Sequence, residues 1–438
     1  MEKIKRIKDA VKNCGCDADL FIEETKGSGI TVDNGKIENK EVSDSFGAAV
    51  RVFKNGKMGF GFFTDKSGKT AEEILKKAVR DACIEGYENY TLSDIREFEN
   101  IEMSCSAYDD ISIEEKEKTA LKLEEAAKKY SKKIEFVRET SFEDKKTAVT
   151  YFNTKGTDIR YEKTLYSMQT MVISSGGKDR KAVDGFEGES CFENIDPERL
   201  GAETSERALR LLNAKSVPTG RYTLIIPPHI GVNLLELISG MFLYSNIRKG
   251  KSLLKDFKKG DKTASEKLTL KDNALLNYRA GSFPADGEGM PGQNKNVLEN
   301  GVLNTFLYDR LNAGYAETQS TGNGIRRFKT LPEPGVSNFY IENGGSEKKE
   351  VMKNISGIVV DSLMGLHTAD TVSGNFSLGL AGWQTEKGRI TQAVEGVLAA
   401  GNIRDLLNNI THICGDLKFY YNFGAPTLVI SGVQIAGK

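Results

Sequence analysis

The chain has 438 residues, of which 39% are hydrophobic and 28% are charged. This size predicts two or three domains, and this composition predicts a globular fold. The 61 basic and 62 acidic residues leave a net charge of -1, which gives no electrostatic support for a nucleic-acid or membrane surface. Six scattered cysteines without a CxxC pair favour reduced thiols. The first residues lack the apolar core of a signal peptide, so we expect a cytoplasmic protein that spans no membrane.

The first third of the chain is predicted to alternate hairpins with helices. Asn-Gly pairs at residues 34–35 and 55–56 are each flanked by strand-like runs. Because Asn-Gly readily adopts the positive φ angles of a tight turn, each pair predicts a β-hairpin. Apolar residues at helical spacing then predict a helix over residues 70–86.

The middle of the chain carries clear helix-start signals. Ser112 and Glu115 form a capping box for a helix that is predicted to run to about residue 130. Residues 134–175 follow the pattern of two strands joined by a turn. Asp196 is followed by a proline, which suits the first position of a helix that we expect to end near residue 214.

Residues 215–220 combine proline, glycine and small polar side chains, and they are the best candidate for a domain linker. They divide the chain into an N-terminal α+β domain, residues 1–214, and a β-rich C-terminal domain, residues 219–438. The second domain contains helix-like runs at 231–244 and 402–410. Because strands are joined by short turns and helices are set apart, the sequence favours an α+β fold of hairpin-rich antiparallel sheets with packed helices.

The helix-like run at 231–244 bears on zinc chemistry. A zinc peptidase needs two histidines about one helical turn apart and a glutamate beside the first. Glu236 is present, but Leu235 precedes it and Gly240 follows it. His229 is predicted to lie before the helix, after two prolines. The pattern favours a packing helix with Glu236 at its polar edge, and the alternative is a site glutamate retained without its metal.

Two further segments contain residues that could carry chemistry. His412 and Cys414 have strand spacing and could face one side, but two ligands are too few for a structural zinc. His367 and Ser373 in a glycine-rich loop suggest a base and a nucleophile. No oxyanion-hole motif accompanies them, so a hydrogen-bonded loop that lines a cleft is favoured.

The glycine-rich residues 287–292 do not fit a phosphate-binding loop and are predicted to form turns.

Several segments, taken in order, resemble the TldD/PmbA family, once described as modulators of DNA gyrase. The resemblance extends over nearly the whole chain. It is carried by the hairpins at 31–42 and 47–65 and by RKGKS at 248–252, DGEGMP at 286–291, VLENGVL at 297–303, LYDR at 307–310, STGN at 320–323, SGNFS at 373–377, VE at 394–395, AGN at 400–402 and APT at 425–427.

The resemblance implies one of two related subunits. The TldD-like subunit carries an HExxxH helix and binds zinc with a further cysteine near its C-terminus, whereas the PmbA-like subunit, also called TldE, lacks the motif. Residues 231–250 align with that helix without a gap, so that its two histidines fall on Leu235 and Gly240 and its glutamate on Glu236. Cys414 lies near the region of the cysteine ligand, although its spacing to residues 424–427 is shorter than in the TldD-like subunit.

The resemblance therefore implies a non-catalytic, PmbA-like subunit of a cytosolic metallopeptidase complex that degrades unfolded or extended peptides. We expect no cofactor in this chain and zinc in a TldD-like partner, with which it forms a heterodimer. His367, Ser373 and Asn375 are the candidate substrate-binding residues, in a loop that also looks PmbA-like. Two alternatives remain: a stand-alone hydrolase that uses Glu236, His367 or Ser373, and a homodimeric peptide-binding or regulatory protein.

Overall fold

The structure, a computed structural model, describes residues 2–438. The helices and strands of its N-terminal half are, in chain order, α1 (Glu2–Lys12), β1 (Asp17–Asp33), β2 (Lys36–Lys54), β3 (Lys57–Phe63), α2 (Gly68–Arg80), α3 (Ile113–Lys129), β4 (Ile134–Asn153), β5 (Asp158–Gly176), β6 (Asp179–Glu189) and α4 (Pro197–Arg210). The strands form one antiparallel sheet in the order β3-β2-β1-β4-β5-β6. Helices α1 and α2 pack against its first strands, and α3 and α4 against its last.

The turn and capping signals of the sequence are confirmed in this half. Asn34 and Asn55 both have a φ of 52°, and the glycine after each has a φ of 74°. These positive angles let the chain reverse tightly between β1 and β2 and between β2 and β3. At the start of α3, Ser112 Oγ accepts from the Glu115 amide at 3.2 Å, and Glu115 accepts from the Ser112 amide at 3.0 Å.

Helix α2 is shorter than predicted, because it ends at Arg80 and not at residue 86. Beyond its end, the amide of Ile84 donates to the carbonyl of Met58, and the amide of Met58 donates to the carbonyl of Ile84. This pairing with the edge strand β3 satisfies backbone groups that a longer helix would have used internally. The helical spacing of apolar residues was therefore overridden by a tertiary contact.

The C-terminal half contains many short elements. They are, in chain order, β7 (Gly220–Ile226), α5 (Pro228–Ser239), α6 (Tyr244–Arg248), β8 (Leu270–Asn273), β9 (Asn294–Glu299), β10 (Val302–Leu303), α7 (Arg310–Tyr315), β11 (Gly324–Ile325), β12 (Glu333–Pro334), β13 (Asn338–Ile341), α8 (Lys348–Asn354), β14 (Gly357–Met364), β15 (Asn375–Glu386), β16 (Arg389–Asn402), α9 (Ile403–Asn408), β17 (Ile410–Ile413), β18 (Lys418–Tyr420), β19 (Phe423–Ala425) and β20 (Leu428–Ala436).

These strands form two larger sheets around the main hydrophobic core. One sheet has the order β16-β15-β14-β7-β20-β17, and a further pairing of β16 with β20 closes it on itself. The other has the order β10-β9-β8-β13-β19-β18. Most pairs are antiparallel, and the exceptions are β14 with β7 and β13 with β19. The predicted α+β class with hairpin-rich antiparallel sheets and a β-rich C-terminal half is confirmed.

Helix α5 begins earlier than predicted and ends earlier too. Pro228 occupies its first turn, where the missing amide proton costs nothing and the fixed φ suits a helix. The prediction that His229 lies outside the helix is therefore wrong. At the other end, Ser239 is the last α-helical residue, and the chain continues as a 3-10 turn over Gly240–Phe242.

The linker segment binds the two halves of the chain together. Helix α4 ends at Arg210 instead of near residue 214, and the amide of Lys215 then donates to the carbonyl of Ala393 at 2.9 Å. Trp383, which is the single tryptophan of the sequence, is buried between residues of both halves. No helix within residues 2–438 has the length and apolar character needed to cross a membrane.

Candidate functional site

Helix α5 borders a cleft between the two halves of the chain. The cleft has a volume of about 540 Å³. Its walls come from residues 182–186 of β6, from α4, from α5 and from residues 418–423. Glu236 is exposed and lines this cleft, whereas the neighbouring Leu235 is only 2% exposed and packs into the core. The helix therefore separates an apolar face from a face that a ligand could contact.

The two positions aligned with metal-ligand histidines differ in their surroundings. Leu235 borders a small apolar cavity together with Ile341, Phe376 and Ile430. Gly240 has room for a side chain, since a Cβ there would contact only Asn246 Nδ2, at 3.5 Å. Packing thus requires an apolar residue at 235 but does not require glycine at 240.

His229 lies on the same side of α5 as Glu236 and also lines the cleft. Burial, with a contribution from the Arg207 guanidinium, lowers the pKa of His229 to about 3. Arg207 itself is paired with Asp361, with 2.6 Å between Nε and Oδ1. Nε2 of His229 is buried and has no hydrogen-bond partner within the described part of the chain. The imidazole is therefore neutral near pH 7, and its Nε2 can donate a hydrogen bond to a bound molecule or accept one from it, depending on the tautomer.

His367, Ser373 and Asn375 lie elsewhere, in and beside the loop between β14 and β15. All three are exposed. Asn402 Nδ2 donates to the Ser373 carbonyl at 2.9 Å and to Asn375 Oδ1 at 3.1 Å. In residues 2–438 no hydrogen bond joins His367 to Ser373, and the lining of the cleft at α5 includes neither. Their role in substrate binding stays a prediction.

Within residues 2–438, His412 and Cys414 have no third metal-ligand side chain close enough to complete a site. Cys414 is fully buried against Val351 and Val429, and burial, with a smaller effect of Asp416, raises the pKa of its thiol to about 11. His412 contacts the hydroxyl of Thr411 at 3.1 Å. Cys414 is therefore a protonated core thiol at neutral pH.

A buried cluster of charges connects the N-terminal sheet to the C-terminal half. Arg51 on β2 is 1% exposed and pairs with Asp19 on β1. The same guanidinium lies 3.3 Å from Glu288, which also accepts from the Tyr90 hydroxyl at 2.7 Å. Arg326 donates to Asp19 at 3.0 Å. Each buried charge thus has an opposite charge beside it, as burial in a low-dielectric interior requires.

The Glu288 carboxylate also affects the pKa values of two further carboxyl groups, those of Asp286 and Asp309. Burial, and then the nearby Glu288 carboxylate, raises the pKa of Asp286 to about 7. The same two causes, in the same order, raise the pKa of Asp309 to about 7. Groups with such values exchange protons in the physiological range, which is a property often found at functional sites. In the sequence, Asp286 and Asp309 stood out only as parts of the segments that carry the resemblance, and residues 287–292 were predicted to form turns.

Glycines 287 and 289 explain how this segment reaches the cluster. A Cβ at Gly287 would lie 2.4 Å from Cβ of Arg326, and one at Gly289 would lie 2.3 Å from the ring of Tyr151. Only glycine allows these approaches, and Gly289 also has a φ of 72°. The alternation of glycine with acidic residues at 286–289 was the one local signal that could have indicated the cluster.

The cluster borders a second cleft, with a volume of about 590 Å³. Alternate side chains of β1, β4 and β5 form its floor, and C-terminal loops form its roof. Nε and Nη2 of Arg326 are buried there without hydrogen-bond partners in the described residues. Lys163 donates to the Ala280 carbonyl at 3.3 Å. Tyr421 and Asn422 line both clefts, so the two share a wall between the halves of the chain.

Three family models match the chain in order. The model described as PmbA/TldA metallopeptidase domain 1 matches residues 18–83, the central-domain model matches 107–212, and the C-terminal-domain model matches 219–437. Over 439 aligned residues the chain is 28% identical to a protein described as a metalloprotease PmbA homolog from Buchnera aphidicola subsp. Acyrthosiphon pisum. That alignment covers 97% of this chain and 94% of the Buchnera protein.

Two solved structures have a similar fold. A Thermotoga maritima protein, whose description refers to modulation of a DNA gyrase, superposes with a TM-score of 0.91 at 25% identity, over 99% of both chains. TldE from Thermococcus kodakarensis superposes with a TM-score of 0.91 at 20% identity, over 99% of this chain and 100% of that one. The second similarity supports the fold alone.

Proposed function

Because the chain belongs to the PmbA/TldD metallopeptidase family, we propose that it is a PmbA-like subunit of a cytosolic peptidase complex. It binds unfolded or extended peptide, and a TldD-like partner carries the zinc. The observation that carries the proposal is at α5, where Leu235 is buried, Gly240 has no side chain, and Glu236 alone remains of the motif.

Zinc does not fit the residues of α5. The polar side chains of α5 that line the cleft are those of His229, Asn233 and Glu236. Of these only His229 and Glu236 are of the types that bind zinc, and they are seven residues apart. At 1.5 Å per residue this separates them by about 10.5 Å along the helix axis, too far to share one ion. Catalytic zinc takes three protein ligands, and Leu235 faces a purely apolar environment. The chain accordingly supplies binding surface and no metal-dependent step.

The edge strand β6 supports the binding of an extended peptide. In the described sheet β6 pairs with β5 and with no other strand, and residues 182–186 border the cleft beside Glu236. Arg207 Nη1 donates to the Asp184 carbonyl at 3.0 Å, so this carbonyl points away from β5. Unpaired backbone groups on a strand edge can hydrogen-bond an extended peptide as an additional strand. The neutral His229 supplies a further hydrogen-bonding group on the opposite wall.

Reconstitution with a TldD-like subunit tests the proposal. We expect the isolated chain to leave an unfolded peptide intact and the 1:1 complex to cleave it, with loss of cleavage after zinc is chelated. Glu236→Gln in this chain is expected to raise KM without lowering kcat, because the side chain binds substrate and takes no part in the chemistry. Glu198→Gln, at an exposed position of α4 outside the lining of the cleft, is the matched control for a loss of charge and should leave KM unchanged.

Chelator-sensitive cleavage by the isolated chain would contradict this function, as would a large fall in kcat for Glu236→Gln. A stand-alone hydrolase would instead require a nucleophile with its base. In the part of the chain that the structure describes, Ser373 and His367 share no hydrogen bond, and Glu236 borders a cleft that neither of them lines. A homodimer without peptidase activity in any mixture would favour the regulatory alternative.

A further inference from the structure

Two cysteines and a glutamate come together at the end of the N-terminal sheet, and none of the three lines either cleft. Cys105 ends a long loop, Cys191 follows β6, and Glu193 lies in the short 3-10 turn after it. One ligand atom of each lies within 4.8 Å of the others. Cys191 is 5% exposed, Cys105 is half-buried and Glu193 is exposed. The cluster is thus anchored in the interior and open to solvent on one side.

The distance between the Cys105 and Glu193 ligand atoms matches one edge of a zinc coordination tetrahedron. Zn–S bonds of about 2.3 Å and Zn–O bonds of about 2.1 Å place S and O about 3.6 Å apart at tetrahedral angles. Sγ of Cys105 lies 3.5 Å and 3.6 Å from the two carboxylate oxygens of Glu193. Without a cation, the same contact is a weak thiol–carboxylate hydrogen bond.

A hydrogen-bond bridge holds the two cysteine segments in place. The hydroxyl of Thr164 accepts from the Cys105 amide at 2.9 Å and donates to the Ser190 carbonyl at 2.7 Å. The Thr164 amide also donates to the Met103 carbonyl at 3.1 Å. Cys105 and Cys191 are therefore positioned by the backbone on either side, so that a cation would meet a preformed pair of sulfur ligands.

The loop that ends at Cys105 needs such an anchor. Residues 85–105 contain no helix or strand, and connections of this length without regular structure are uncommon in compact domains. The loop also contacts the C-terminal half, because the Tyr278 amide donates to the Glu102 carbonyl at 2.6 Å. A cross-link between residues 105 and 191 would fix both the loop and this contact.

We propose that Cys105, Cys191 and Glu193 bind a thiophilic divalent cation of the zinc type, which fastens this loop to the N-terminal sheet. Glu193 is exposed, so that water can supply the fourth ligand from the solvent side. The two thiols give up their protons to solvent when the cation binds, and no group is oxidised or reduced. This site is separate from α5 and does not depend on the proposed peptidase role.

Cobalt(II) titration of the reduced, metal-free full-length chain tests the site directly. We expect one equivalent to produce a thiolate-to-cobalt charge-transfer absorption that zinc then removes by displacement. Cys105→Ser and Glu193→Gln should each weaken zinc binding more than about 100-fold, because outer-shell changes alone typically cost 10–100-fold. Circular dichroism establishes that each variant is folded, which we expect because Cys105 is only half-buried and Glu193 is exposed.

Cys83→Ser is the matched control, because Cys83 is an exposed thiol outside the cluster. It should leave the cobalt absorption and the zinc affinity unchanged. Three results would each overturn the site: no charge-transfer absorption in the reduced wild-type chain, an absorption that persists in both Cys105→Ser and Glu193→Gln, or one that Cys83→Ser abolishes.

Discussion

The buried side chain of Asp309 caps a helix, but its ionised form is unfavourable in this environment. Its Oδ1 caps helix α7 by accepting from the Asn312 amide at 2.7 Å and from the Asn312 side chain at 2.8 Å. Its burial near the Glu288 carboxylate raises its pKa to about 7. The folded protein therefore holds this proton well above the pH at which an unfolded chain releases it, near 3.9. The associated stability is complete below about pH 4 and is lost as the pH rises to about 7.

Asp309→Asn should remove this pH-dependent loss of stability, because asparagine does not ionise. Asparagine is also a good N-cap, and its oxygen can keep both hydrogen bonds from Asn312. We expect the unfolding free energy of the variant, relative to wild type, to rise by on the order of 2 kcal/mol between pH 5 and pH 8. Urea denaturation at both pH values measures it. Asp196→Asn, at the exposed N-cap of α4, should show a smaller change. An equal change in both variants would show that burial near Glu288 is not the cause.

The candidate residues illustrate what local patterns can reveal. The alignment of Leu235, Glu236 and Gly240 with a known motif needed only their order in one segment. The buried pair of Arg51 and Glu288 joins residues 237 positions apart. Its existence depends on which loop meets which strand, and no local periodicity encodes that. Cys105 and Cys191 were likewise recorded as scattered cysteines, since only the fold brings them together.

At the scale of elements, β6 and α5 determine what the cleft can hold. The outer edge of the strand pairs with no other strand in the described sheet, and of its backbone groups the Asp184 carbonyl accepts from Arg207. The helix turns one face to the core and the other to the cleft. Local signals predicted most elements of the N-terminal half, because Asn-Gly turns and the capping box of α3 act within a few residues. They did not predict the end of α2, where the backbone pairs Ile84 with Met58. They also did not predict the start of α5, which begins at Pro228.

Asp184→Pro should weaken peptide binding by β6. Its carbonyl points away from β5, and in an antiparallel strand the amide of the same residue points the same way. Proline removes that donor and is tolerated on an edge strand. We expect a higher KM for the reconstituted complex at unchanged kcat. Phe62→Pro, on the opposite edge strand β3, should leave KM unaltered. Equal KM values for wild type and Asp184→Pro would exclude pairing at this edge.

At the scale of the whole molecule, buried interactions join the N-terminal and C-terminal halves of the chain. Trp383 packs among residues of both halves, and the guanidinium of Arg210 lies 5.2 Å from the centre of its ring. At the other end of the interface, the ion pairs of Arg51 and Arg326 link β1 and β2 to C-terminal loops. Because neither half keeps these contacts alone, we expect the chain to unfold as one cooperative unit.

Arg51→Met tests this coupling. The substitution leaves Asp19 and Glu288 with reduced compensation, and breaking a buried pair typically costs 3–5 kcal/mol. We expect the Trp383 fluorescence and far-ultraviolet circular dichroism transitions to coincide in wild type and to shift together in the variant. Arg180→Met, which breaks an exposed pair with Glu135, should cost about 1 kcal/mol or less. A fluorescence transition unmoved by Arg51→Met would show that the halves unfold independently.

The sequence by itself determined the α+β class, the turns, most of the helices and the membership in a peptidase family. It also established that leucine and glycine stand at 235 and 240, where the resemblance places the two histidines of HExxxH, because the identity of a residue is known without the fold. The tertiary structure alone decided that Leu235 is in the core while Glu236 faces a cleft, and that Asp19, Arg51 and Glu288 share one buried cluster. The physical reason is distance along the chain: local patterns act within a few residues, whereas burial and charge pairing depend on which distant segments meet.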